Sequence, residues 1–201
     1  RQYFEEQIFP VLTPLAVDPG HPFPYISNLS LNIAAVVHDS QADQIRFARV
    51  KVPKVLPRFV ALQDDEDEAF SRQPCHWQGV PLEQVIAHNL EYLFPGMVIQ
   101  EHYLFRITRN ADLAVEEDEA DDLMLAIEQE LRKRRLGGSA VRMEIQATTP
   151  DVVRQVLMQE MELTEADVYD IDGLMGLGDL MEFASFPLPD LKLADWTPTV
   201  P

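Results

Sequence analysis

The sequence predicts an α+β fold: a mixed, largely antiparallel sheet with helices packed on it. Three observations carry that expectation. Residues 28–38, 45–52, 98–109 and 140–147 read as strands, and the first and last of these alternate apolar and polar side chains with a period of two. Residues 81–94, 116–136 and 150–161 instead repeat their apolar side chains at helical spacing. Strands come early in the chain and a helix–strand–helix run comes late, an order that suits one sheet of mixed direction. At 201 residues and 46% apolar content, the chain is long enough for a real core and is not of disordered composition.

Taken in order, residues 1–9 read as the end of a helix with Phe4 and Ile8 on one side. Five prolines (Pro10, Pro14, Pro19, Pro22, Pro24) then fix an extended, non-helical path through residue 27. Phe9, Val11, Leu12, Leu15, Phe23 and Tyr25 give that path apolar surface to lay on a core. In the strand at 28–38, Leu29, Leu31, Ile33, Ala35 and Val37 are expected inward, and Ser30, Asn32 and Ala34 outward. A turn at 39–43 leads into the strand at 45–52 and makes a hairpin. Arg46, Arg49 and Lys51 on that second strand read as solvated charges guarding a sheet edge, ahead of the alternative of a phosphate site.

Pro57 makes residues 54–62 an edge strand or irregular, and the five consecutive acids at 64–68 read as an exposed loop. Pro81 is expected in the first turn of a helix with the stripe Leu82, Val85, Ile86, Leu90, Leu93 and Phe94, ended by Pro95-Gly96. The strand at 98–109 sets Tyr103, Phe105 and Ile107 against Arg106 and Thr108 and delivers Arg109 to its end. The helix at 116–136 begins with acids and ends with Arg132, Lys133, Arg134 and Arg135, and each cluster suits the helix dipole at its terminus. On 140–147, Val141, Met143, Ile145 and Ala147 are expected inward. Thr149 and Pro150 should cap and start the helix that follows; an extended piece at 168–171 and a short helix at 179–185 complete the order.

The formal net charge of −18 repels nucleic acid and other polyanions wherever basic residues are not gathered locally. No run of eighteen apolar residues occurs, so no membrane span is expected. One cysteine, Cys75, precludes an internal disulfide and suits the reducing cytoplasm. Neither GxxxxGK[ST] nor GxSxG is present, and His21, His38, His76, His88 and His102 fall in separate elements. Cys75-His76 lacks the second half of a zinc site, and no metal site is expected. Candidates for binding a phosphate are Arg109 and Asn110, between a strand and a helix, and the basic group Arg132, Arg134 and Arg135. Phe23 and Tyr25 are candidates for an interface. No residue of the chain is expected to be catalytic.

Four stretches carry a family resemblance: FPVLTPLAVDPGHPFPYISNLSLN (9–32), RFARVKVPKVLPRFV (46–60), LFPGMVIQEHYLFRITRNADLAVEEDEADDL (93–123) and VYDIDGLMGLGDLMEF (168–183). In this order they resemble the middle, or head, domain of the long-chain, histidine-phosphorylating polyphosphate kinases. The resemblance implies that residues 1–10 end a preceding helical domain, 11–190 form the head domain and 191–201 lead to C-terminal catalytic domains. It implies a cytoplasmic enzyme that reversibly moves the terminal phosphate of ATP onto polyphosphate through a phosphohistidine, with magnesium. The phosphorylated histidine is then in the C-terminal domains, and this segment serves dimer contacts and assembly and itself binds neither ATP nor magnesium. The alternative is a self-contained nucleotide- or phosphate-binding module using Arg109 or Arg132–Arg135. A phosphohistidine phosphatase-like activity ranks last, because no histidine sits beside both a glycine-rich turn and basic residues.

Overall fold

The computed structural model describes residues 1–17, 23–40, 42–62, 77–110, 138–186, 191–193 and 196–198. Its centre is a six-stranded sheet made of β1 (Pro14–Val17), β2 (Leu31–Asp39), β3 (Gln44–Lys51), β6 (Met97–Arg109), β7 (Ala140–Gln146) and β8 (Val168–Ile171), in the order β1-β3-β2-β6-β7-β8. Every pairing is antiparallel except β7 with β8, which are joined through helix α2 (Asp151–Met161). β4 (Phe59–Ala61) and β5 (Gly79–Pro81) form a separate antiparallel pair, and β5 runs into helix α1 (Leu82–His88). The α+β class expected from the sequence is the class observed.

Both faces of the sheet are covered. On one, Leu31, Ile33, Ala35, Val37, Ala48 and Val50 pack against Phe4 and Ile8 of the N-terminal turns and Leu82 and Ile86 of α1. On the other, Ala34, Phe105, Ile107, Met143 and Ile145 pack against Val153, Leu157 and Met161 of α2 and against Ile26. β2 is therefore buried on both sides, not half-buried, and its "outward" residues Asn32 and Ala34 are fully enclosed. Leu29 is not part of the strand: its φ of 54° turns the chain just before β2 starts.

The sheet order also corrects the role of the basic strand. β3 lies between β1 and β2, with β1 paired along residues 47–50, so Arg49 does not guard an edge. The edge is β1, a short strand beginning at Pro14 inside the proline-fixed path. Two β-bulges re-aim side chains that strict alternation would misplace. The β2–β6 register passes over Gln100, so Met97 and Ile99 join the first core while Tyr103 joins the second. The β6–β7 register passes over Val141, which is left 44% exposed while Ala140 packs on the core in its stead. Ala147 lies beyond the end of β7 and is exposed.

Smaller differences concern helix ends. Pro81 is the N-cap of α1, not its first residue, and Asn89 stops the helix by donating its amide to the Val85 carbonyl at 2.8 Å. A 3-10 turn over Leu90–Leu93 continues the expected apolar stripe. Thr149 does not cap α2: its hydroxyl donates to the Gln146 carbonyl at 2.6 Å and closes the turn that leaves β7. The C-terminal helix is of 3-10 type, Leu177–Ser185. The acids at 64–68, Cys75-His76 and the helix expected at 116–136, with Arg132, Arg134 and Arg135, lie outside the described residues.

Candidate functional site

Residues 23–32 cross the end of the sheet on the α2 side, and three cations hold them. The first is Arg109, at the bulge that ends β6. Its Nε donates to the Ile26 carbonyl at 2.6 Å and its Nη1 to the Gly138 carbonyl at 2.9 Å; Nη2 lies 3.9 Å from the Met161 sulfur. Its guanidinium stacks on Tyr25 with 4.4 Å to the ring centroid, and its backbone N–H donates to Asn28 Oδ1 at 2.9 Å. Asn110 continues the junction by donating its N–H to the Ser139 carbonyl at 2.9 Å. A side chain on Gly138 would come within 2.3 Å of the Asn110 carbonyl, so the close approach there requires glycine.

The other two cations come from β3. Arg49 Nε donates to Asn32 Oδ1 at 2.8 Å, and Asn32 Nδ2 donates in turn to the Ser30 carbonyl and hydroxyl at 2.8 and 3.1 Å. Lys51 Nζ donates to the Ser27 hydroxyl at 3.0 Å. Arg49 is only 6% exposed. Burial lowers its pKa, and burial followed by repulsion from Arg49 and Lys54 lowers that of Lys51. The burial of this pair is not visible in the sequence. What the sequence shows is two cations at i and i+2, hence on one strand face, opposite the serine and asparagine of a strand that carries no acid until Asp39.

Phe23 and Tyr25 differ in setting. Phe23 packs on Phe47 with ring centroids 5.7 Å apart, whereas Tyr25 remains 49% exposed beside Arg109. Elsewhere the arginines are matched to acids: Arg46 with Asp39, Arg106 and Arg142 with Glu144, Arg154 with Asp170 and Glu165. Arg58 is a hub that binds the buried Glu83 of α1, Asp179 of the C-terminal helix and the Met175 carbonyl. A depression of about 1190 Å³ lies between the N-terminal turns, β4 and α1 and includes His88 and His102. No three His, Cys, Asp or Glu side chains converge as metal ligands among the described residues. No described helix is long and apolar enough to cross a membrane.

Fold and site together define an α+β domain whose described arginines are engaged within the domain, around a basic cluster at the mouth of β2 and β3. Comparison with known proteins then supplies the family. The family model described as the polyphosphate kinase middle domain matches residues 1–183, and the chain belongs to that family. It is 64% identical over its whole length to a polyphosphate kinase of Synechocystis sp., of which it spans 28%. It is 45% identical over 98% of its length to a polyphosphate kinase of Mycobacterium ulcerans, spanning 26% of that protein. The crystal structure of polyphosphate kinase from Porphyromonas gingivalis shares the fold, with a TM-score of 0.70 at 23% identity, over 99% of this chain and 26% of that one. The chain thus spans about a quarter of the length of these relatives.

Proposed function

We propose that this chain is the head segment of a polyphosphate kinase that reversibly transfers the terminal phosphate of ATP to inorganic polyphosphate through a phosphohistidine. The observation that carries the proposal is the match of the middle-domain family model to residues 1–183. The segment holds no catalytic residue in this reading. His38 is paired with Asp43 at 3.0 Å. In this reading, magnesium and the phosphorylated histidine are held by other domains of a cytoplasmic polypeptide. The segment's role is assembly: it links the flanking domains and, through Phe23 and Tyr25, takes part in a homo-oligomer.

The test is chain synthesis by the full-length polypeptide that contains this segment. Incubated with ATP and magnesium, it should produce internal phosphate resonances of a long polymer in the 31P spectrum. Release of orthophosphate alone would contradict the proposal.

A further inference from the structure

The buried end of β3 is charged in a way that nothing else among the described residues is. A guanidinium removed from water costs several kcal/mol unless it is paired. Arg46, Arg58, Arg106, Arg142 and Arg154 each meet a carboxylate, and Arg109 spends its donors on backbone carbonyls. Among the described residues, Arg49 donates to a neutral acceptor, the Asn32 amide oxygen, and Lys51 to a hydroxyl. These two adjacent cations face no carboxylate among the described residues, which leaves their charge open to an anionic ligand.

We propose that Arg49 and Lys51, with the hydroxyl of Ser27, form a binding site for a phosphate group, most naturally one unit of a polyphosphate chain. The two cations stand at i and i+2 of one strand, roughly 7 Å apart along it and on the same face. A guanidinium fork and an ammonium point charge side by side suit a tetrahedral oxyanion that offers several acceptor oxygens. Ser27 presents a hydroxyl already in hydrogen-bond range of Lys51. The local field supports the assignment: burial and mutual repulsion both disfavour the charged lysine, so a bound anion would relieve the cluster. The segment would then bind polymer away from the transfer chemistry. That use of the site rests on the function proposed above.

Lysine acetylation followed by peptide mass spectrometry reads this site in the full-length protein. Tripolyphosphate at about ten times its dissociation constant should slow acetylation of Lys51 about tenfold. Lys192 should be unaffected, and citrate at matched ionic strength should give no protection. Orthophosphate and magnesium-free ATP, run in parallel, show whether a single phosphate or a chain is preferred. Arg49→Met should abolish the protection, and Ser27→Ala, a milder change, should weaken it. The proposal is overturned if tripolyphosphate leaves Lys51 as reactive as before, or if citrate protects equally. It is also overturned if Lys51 is already unreactive without added anion, since a carboxylate from another domain would then occupy the site. Polymer synthesis measured on the same preparation separates the two claims: synthesis without protection removes only this one, and protection without synthesis removes only the assigned function.

Discussion

Arg109 shows how much of the domain can hang on one side chain. It ties residue 26 of the proline-fixed path, residue 138 at the start of β7 and, through Met161, the end of α2. Lysine keeps the charge but loses the planar fork that reaches two carbonyls at once. Arg109→Lys should therefore lower stability by about 2 kcal/mol, the scale of charge-assisted hydrogen bonds, read from the midpoint of a urea titration. An unchanged midpoint would mean that the clamp is incidental. Polar residues were the hardest to place from the sequence. Asn32 and Arg49 alternate as solvent-facing residues do, yet both lie inside, because the segment at 23–30 folds back over that face. Their burial depends on a long-range contact that period-two alternation does not encode.

At the scale of elements, β2, β7, the 103–108 part of β6 and the apolar stripe of α1 were legible because each repeats a simple period. The two bulges were not, since passing over Gln100 or Val141 is defined by the register of a partner strand. β1 was hidden for a similar reason: four residues of a proline-rich path become a strand only because β3 offers an open edge. The C-terminal 3-10 helix is held by aromatic packing that the sequence did not announce. Phe183 packs on Phe59 at 4.6 Å and edge-on against Trp77 at 5.1 Å, and Trp77 also meets Phe186 at 5.0 Å. Gly79 makes room for that indole, because a Cβ there would sit 2.2 Å from Trp77 Cη2. Gly79→Ala should push the ring out, at a cost of about 1–2 kcal/mol from overpacking. In a Trp196→Phe background, which leaves Trp77 as the only tryptophan of this chain, its emission should move to the red. Emission that stays in place would show that the cluster absorbs the methyl group.

For the whole molecule, the role proposed for this chain is assembly, with the transfer chemistry in other domains. Tyr25, 49% exposed, is the residue through which the proposed assembly would meet a second copy. Tyr25→Ser in the full-length protein should shift sedimentation toward the smaller species while leaving the unfolding transition cooperative; an unaltered distribution would move the interface elsewhere. The most direct measurement is the position of the phosphorylated histidine. The full-length protein would be labelled with ATP and magnesium, cleaved under alkaline conditions that preserve phosphohistidine, and mapped by mass spectrometry. The account predicts acid-labile phosphate on a peptide outside these 201 residues and none on His21, His38, His76, His88 or His102. Stable label on any of those five would place the chemistry in this domain and contradict the account.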